Sequence, residues 1–84
     1  MSLSAAAFLA RNVRAERARR GWRQVDLAAR LDGWTADTVS DLETGRRAPL
    51  LDDLPRLCRV FNIGLAKLLD GADPADVQAL RLLD

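Results

Sequence analysis

The chain has 84 residues and a mass of 9.3 kDa, the size of one small domain. Hydrophobic residues make up 49%, charged residues 30% and the net charge is +1, which supports one small core and excludes a disordered chain. With no His, a single Cys and no apolar run near the roughly 20 residues of a membrane span, the sequence predicts no metal site, cofactor, disulfide, catalytic residue or membrane segment.

The apolar residues recur at helical spacing, and no segment alternates with the period of a strand. The spacing predicts an all-α fold of five short helices followed by a short C-terminal tail helix. The first helix has a serine cap, Ser2 or Ser4, and ends at about residue 20. The second spans about residues 24–31, and the third starts at a Thr35 cap and ends near residue 44.

Two further helices and the tail complete the predicted order. Asp52 is expected to cap a fourth helix that runs to about residue 61, with Pro55 in the first turn, where no backbone donor is needed. A short fifth helix covers residues 65–69, and Asp73-Pro74 opens the tail. Residues 1–72 therefore form the domain and residues 73–84 the tail helix. Its apolar residues, which either pack on the chain's own domain or form a dimer contact, are Val77, Leu80, Leu82 and Leu83.

The charges are unevenly distributed along the chain. Residues 1–30 contain seven arginines and two acidic residues, a formal charge of +5, whereas residues 31–84 carry −4. All basic residues but one are Arg, whose forked donors suit phosphate or carboxylate groups. The basic third of the chain is either a solvated helix face or a phosphate-binding face.

A set of short motifs appears in a specific order across residues 9–69. They are Arg14-Ala-Glu-Arg17, Gly21-Trp22-Arg23-Gln24, Leu27-Ala28, the stretch 35–40, Leu42-Glu43-x-Gly45-Arg46, Pro49, Leu54-x-x-Leu57 and Leu68-Leu69. In order and spacing they resemble the helix-turn-helix family of phage Cro and C1 repressors, the XRE family. The resemblance implies a lambda-repressor-like domain, with its third helix in the major groove of double-stranded DNA. It also implies a cytoplasmic regulator of transcription, bacterial or phage, that binds near-palindromic operators as a homodimer.

The resemblance assigns two groups of contacts and one ion pair. The residues expected to touch DNA phosphates are Arg23, Gln24, Thr35, Arg46 and Arg47; Arg23 departs from the family pattern, which usually has Ser or Thr there, but its side chain can reach phosphate. Gln24 can instead be a simple helix-start residue, and the two arginines after the third helix can also offset its dipole. Arg17 and Glu43 match positions that form an ion pair between the first and third helices, although they can also be two ordinary surface charges.

Base reading falls to the exposed side of the third helix. The expected residues are Ala36, Asp37, Thr38, Ser40 and Asp41. No Arg, Lys, Gln or Asn lies among them, so the usual bidentate contacts to guanine and adenine are missing, although Asp can accept from cytosine and Ala36 can pack on a thymine methyl. Asp37 can instead stabilise the helix dipole, and Asp41 can instead pair with an arginine.

The turn before the third helix departs from the family pattern. Leu31-Asp32-Gly33-Trp34-Thr35 is one residue longer than usual, which can rotate the third helix. Trp34 is expected to fill space between helices rather than to touch DNA. Because the third helix is acidic, an alternative function is a protein-interaction module on the same fold, antitoxin-like or regulator-binding. An enzyme is not expected, because no nucleophile or metal set is visible.

Overall fold

The computed structural model describes residues 4–75, so the predicted apolar residues of the tail, 77–83, lie outside the described residues. The described part is all-α and contains no strand, which confirms the predicted fold class. Its five helices are α1 (Ala5–Arg19), α2 (Gln24–Ala28), α3 (Ala36–Glu43), α4 (Asp53–Phe61) and α5 (Leu65–Leu68). None of the helices within residues 4–75 is long and apolar enough to cross a membrane.

Most helix ends agree with the sequence expectations, but α2 is shorter. Ser4 caps α1, since its hydroxyl oxygen accepts a hydrogen bond from the Ala7 N–H at 3.2 Å. The second helix was expected to reach residue 31, and this was wrong, because α2 ends at Ala28. The backbone then tightens into bonds between residues three apart, from Arg30 N to Leu27 O and from Leu31 N to Ala28 O, both at 3.0 Å.

The start of α4 differs from the sequence expectation as well. Asp52 has helical backbone angles, and its side chain makes no capping hydrogen bond, so the predicted cap was wrong. The carboxylate of the next residue, Asp53, accepts from the Leu50 N–H at 2.9 Å. A hydrogen bond from Asp53 N to Leu50 O at 2.9 Å forms a turn just before α4. This turn places the Leu50 N–H next to the side chain of Asp53 rather than that of Asp52.

One hydrophobic core lies between the helices. Helix α1 packs against α3, α4 and α5, while α2 packs mainly against α3. The apolar residues of α2 and α3, among them Leu27, Val39 and Leu42, are buried. The core residues are Leu9, Val13, Leu27, Ala28, Leu31, Val39, Leu42, Leu54, Leu57, Phe61, Leu68 and Leu69. This packing makes the α2–α3 pair a compact unit resting on α1.

Candidate nucleic-acid interface

Helix α3 presents a polar outer side opposite its buried side. Thr35 caps the helix: its hydroxyl oxygen accepts from the Thr38 N–H at 3.3 Å, and the Thr38 hydroxyl accepts from the Thr35 N–H at 3.1 Å. Val39 and Leu42 are buried against the core. Asp37 is exposed, and the other residues expected to read bases are partly exposed: Ala36, Thr38, Ser40 and Asp41. The predicted base-reading residues therefore share one accessible side of one helix.

A forked ion pair joins the last residue of α3 to α1. Arg17 Nε donates to Glu43 Oε2 at 2.7 Å, and Arg17 Nη2 donates to Glu43 Oε1 at 3.0 Å. The side chains are only 15% and 3% exposed. The hydrogen bonds to Glu43 raise the pKa of Arg17, which keeps its guanidinium charged. Arg17 Nη1 also donates to the Trp22 carbonyl at 2.8 Å, so one guanidinium holds α1, the α1–α2 connection and α3 together.

Gln24 lies at the start of α2, beside this ion pair. Its side chain is half-buried, and Nε2 is 3.4 Å from Glu43 Oε1. The structure therefore adds a contact within the protein to a residue that the resemblance assigned to DNA phosphate. The amide lies where α2, α3 and α1 meet, and this contact was not expected from the sequence.

Arg23 is exposed at the first turn of α2, but its guanidinium has a partner. Nε and Nη2 donate to the Asp26 carboxylate at 3.1 and 3.2 Å, and the Arg23 backbone N–H donates to it at 2.7 Å. Hydrogen bonds from Arg23 hold the pKa of Asp26 below its usual value. Asp26 thus takes the position of a capping acid, and a phosphate would have to share Arg23 with it.

The loop after α3 carries the other two predicted phosphate contacts. The backbone N–H groups of Arg46 and Arg47 both donate to the Asp41 carbonyl, at 2.8 and 3.0 Å, which closes the end of the helix. The side chain of Arg46 is exposed. Arg47 is half-buried, with Nη2 at 3.4 Å from Asp53 Oδ2 and its guanidinium carbon 5.3 Å from the centre of the Trp34 ring.

Trp34 fills the space beside the longer turn. Its ring is half-buried against the core and has arginines near its faces, with the guanidinium carbon of Arg56 at 5.8 Å from the ring centre. Arg56 Nη2 also donates to the Asp32 carbonyl at 2.5 Å. The turn is thus fixed by a residue of α4 that lies 24 positions further along the chain, and no local sequence signal indicated it.

Two exposed arginines of α1 lie near the end of α3 and add positive charge there. Arg11 and Arg14 line a shallow groove together with Glu43, Thr44 and Gly45. They were not among the predicted phosphate contacts. The available signal was their spacing of three residues, which places both on one side of α1, the helix that Arg17 joins to α3.

The side chains of the candidate site lie in separate places. The residues at or near the end of α3 are Arg46, Glu43, Arg11 and Arg14, while Arg23 and Gln24 lie at the start of α2. Arg47 is directed towards Trp34 and Asp53. Within residues 4–75, no group of three His, Cys, Asp or Glu side chains could hold a metal ion.

Comparison with known proteins identifies the family of the fold. A family model described as a helix-turn-helix domain matches residues 9–80, which is most of the chain. Searches of curated proteins and of solved structures each returned no match. The chain belongs to the helix-turn-helix domain family, in its XRE/Cro-like group.

Proposed function

We propose that the protein binds double-stranded DNA sequence-specifically and regulates transcription, with α3 in the major groove. The observation that carries the proposal is the Arg17–Glu43 fork, because it fixes α3 against α1 while the outer side of α3 stays accessible. In a helix-turn-helix domain, the second helix of the motif, which is α3 here, lies in the major groove. The proposal includes a cytoplasmic protein that acts as a homodimer on a near-palindromic operator, because one module reads only a short half-site.

The basic residues around α3 support contacts to the DNA backbone. Arg46 has its side chain in solvent directly after α3, and Thr35 lies at the other end of the helix. Arg23, Gln24 and Arg47 keep their assignment as phosphate contacts. Their partners within the protein, Asp26, Glu43 and Asp53, hold these side chains in place before DNA arrives. We add Arg11 and Arg14 to this set, because they line the groove at the end of α3.

Base reading is assigned to the outer side of α3. Asp37 and Asp41 are the residues that can accept a hydrogen bond from cytosine N4, and Ala36 suits a thymine methyl. Thr38 and Ser40 add hydroxyl groups that can either donate or accept. Two carboxylates beside phosphates are repelled, so the arginines around them have to offset this repulsion.

The salt dependence of DNA binding tests the phosphate contacts. Counterion release makes affinity fall steeply as salt rises, and each lost phosphate contact lowers the slope of log affinity against log salt by about 1. We expect this reduction for Arg46→Ala and for Arg14→Ala, measured by fluorescence anisotropy on one duplex. Arg59→Ala, an exposed arginine of α4, is the matched control and should leave the slope unchanged. Equal slopes in all four proteins would contradict the phosphate assignment.

Selection of bound duplexes from a random pool tests sequence reading and symmetry together. At moderate salt we expect two related half-sites separated by about one helical turn of DNA, or a multiple of it. Asp41→Asn and Asp37→Ala should each change the preferred base at one position in each half-site. A pool that shows no enrichment would overturn sequence-specific binding.

A protein-interaction module on the same fold is the second candidate. The observation that favours it is the exposed carboxylate of Asp37 on the outer side of α3, where a basic protein surface would fit better than a polyanion. Retention on a DNA column near physiological salt separates the two functions. Elution in the flow-through favours the interaction module.

A further inference from the structure

A second cluster of arginines lies between the end of α2 and α4. It surrounds an open pocket of about 330 Å³, the arginine pocket, which is lined by Arg30, Leu31, Asp32, Arg56, Arg59 and Val60. Arg56 and Arg59 are three residues apart on α4, so both lie on one side of that helix. Three arginines against Asp32 give the lining side chains a formal charge of +2.

The arginines of residues 4–75 divide according to their acidic partners. A carboxylate oxygen lies within 4.0 Å of Arg17, Arg19, Arg20, Arg23 and Arg47. Within the described part of the chain, no carboxylate lies this close to the other arginines, which form two groups: Arg11, Arg14 and Arg46 near the end of α3, and Arg30, Arg56 and Arg59 around the arginine pocket. The first group is assigned above to DNA phosphates. The second group has the same unpaired charge and no assigned ligand.

Neutral groups hold two of these guanidiniums in place. Arg30 Nη1 donates to the Asp26 carbonyl at 2.6 Å, and the guanidinium carbon of Arg30 lies 4.1 Å from the centre of the Trp22 ring. Arg56 Nη2 donates to the Asp32 carbonyl. Carbonyl groups and an aromatic ring orient a guanidinium without cancelling its charge. The remaining N–H donors of these side chains therefore keep the charged fork that an oxyanion accepts.

The lining of the arginine pocket favours a carboxylate side chain over a phosphate. Leu31, which is buried, and Val60, which is partly buried, also line the pocket. Apolar lining suits the methylene groups that carry the carboxylate of a glutamate, and a phosphate has no such groups. The proposed phosphate contacts of α2, Arg23 and Gln24, lie at its start, about 7 Å along the helix axis from the end that borders the pocket.

We propose that the arginine pocket binds the carboxylates of an acidic peptide segment of a partner protein. Arg30 contacts the segment from the side of α2 and Arg59 from the side of α4, while Leu31 and Val60 take its methylene groups. Because the attraction is between charges at the surface, binding weakens as salt rises. The inference does not depend on DNA binding, since none of these residues is among the proposed DNA contacts.

An NMR titration of the full chain tests the position of the site. The probe is a capped hexaglutamate peptide, and the control is a capped glutamine peptide of the same length. We expect the glutamate peptide to shift the amide signals of Leu31 and Val60 and the Nε–H signals of Arg30 and Arg59 until they saturate, and the glutamine peptide to leave them unchanged. Shifts of equal size at Arg46 would mean that the peptide follows positive charge anywhere on the surface, and would overturn the proposal.

Substitutions of two exposed arginines identify the site and leave Arg56, which holds the turn, in place. Arg30→Gln and Arg59→Gln should each weaken binding of the glutamate peptide about threefold, as for exposed ion pairs, and the double variant about tenfold. The matched control is the double variant Arg11→Gln, Arg14→Gln, which removes the same charge from α1 and should leave the affinity unchanged. Equal losses in the two double variants would contradict the proposal.

Thermal melting followed by circular dichroism checks that the variants keep their fold. Arg59 is exposed, and its side chain makes no hydrogen bond within residues 4–75, so Arg59→Gln alone decides the result if Arg30→Gln lowers stability. A folded Arg59→Gln variant that binds the glutamate peptide as tightly as the original chain would overturn the proposal.

Titrations with inorganic phosphate and with a short DNA duplex separate the peptide from other anions. The duplex is expected to shift the Nε–H signal of Arg46 but not those of Arg30 and Arg59. Phosphate that saturates the arginine pocket at a lower concentration than the peptide would show a site for small phosphates. A duplex that shifts Arg30 and Arg59 as strongly as Arg46 would show a nucleic-acid surface, and either result would overturn the proposal.

Discussion

Glu43 is the residue on which the position of α3 depends most. Its carboxylate receives two hydrogen bonds from Arg17 and one from Gln24, and only 3% of the side chain is exposed. A buried ion pair contributes little net stability, because desolvating the charges costs about as much as their attraction returns. Its physical effect is therefore mainly on geometry, since the fork permits only one position of α3 relative to α1.

A double-mutant cycle tests this interpretation. Glu43→Met leaves the guanidinium of Arg17 without its carboxylate and should reduce the free energy of unfolding by about 3 kcal/mol. Arg17→Met should cost a similar amount, while the double variant should cost much less than the sum. Urea denaturation of the four proteins measures this. Additive losses would show that the two side chains act independently.

The change of stability with pH is expected to come from acidic residues whose pKa is lower in the folded state than in the unfolded state. Burial alone would raise the pKa of Glu16, but the hydrogen bond from Arg20 and the charges of Arg19, Arg20 and Lys67 outweigh it and lower this pKa below its ordinary value of 4.5. A lowered pKa in the folded state stabilises the protein above pH 4.5, and this contribution is lost as the pH falls through the lower value. Because the chain contains no His, little change is expected between pH 5 and 8.

Thermal unfolding of Glu16→Gln against pH measures this contribution. The variant should be less stable than the original chain at pH 7, and the difference should shrink below pH 4.5. A shallower decline in acid should remain, because the pKa of Asp26 is also lowered. A constant difference between pH 7 and pH 3 would contradict the role of Glu16.

Some residue contacts could be predicted from the sequence and others could not. The positions of Arg17 and Glu43 came from the family resemblance, and the structure places them 2.7 Å apart. The pairing of Arg56 with the Asp32 carbonyl had no signal, because it joins residues 24 positions apart through tertiary packing. Sequence spacing alone does not show which arginines contact phosphate, because acidic residues of the folded protein form ion pairs with some of the same arginines.

At the scale of elements, α4 provides the clearest test of local capping. Asp53→Ala removes the acceptor of the Leu50 N–H and the partner of Arg47, and should cost about 1 to 2 kcal/mol. Asp52→Ala is the matched control. It should cost much less, because the Asp52 side chain makes no capping bond. Chemical denaturation measures the free energy of unfolding of both variants. A larger loss for Asp52→Ala than for Asp53→Ala would show that Asp52 caps α4, as the sequence predicts.

The helices themselves were predictable because each has a local signal. Serine or threonine starts α1 and α3, and a glycine follows close after each. The end of α2 was not predictable, because the apolar pattern continues to Leu31 while the backbone changes to a tighter turn. Leu31 is buried although it lies beyond the end of α2, so its place in the apolar pattern did not locate the helix end.

At the scale of the whole molecule, Gly71 is the point at which the last described residues pack against α1. Its φ of 95° is unfavourable for any residue with a side chain, and a Cβ there would meet the Phe8 ring. Gly71→Ala should therefore lower the melting temperature more than Gly45→Ala. Gly45 has a similar φ of 79°, but a Cβ there would meet nothing within 4 Å. Scanning calorimetry measures the shifts, at about 4–8 °C per kcal/mol for a domain of this size.

Equal shifts in the two glycine variants would show that Phe8 moves aside without cost. A smaller shift in Gly71→Ala would mean that the end of the described chain is not packed on α1. The sequence offered only a glycine after α5 at this point. That Phe8 lies against it depends on how α1 crosses α5.

Helix α1 contacts α3, α4 and α5, whereas the other main contacts join helices that are neighbours in the chain. During synthesis, α1 is made before α3, α4 and α5, the helices that pack against it. Leu9 and Val13 therefore stay exposed to water until the chain has been made up to Leu69. The domain can become native only after almost all of it has been translated, so a nascent chain that stalls early presents a leucine-bearing helix to chaperones and proteases.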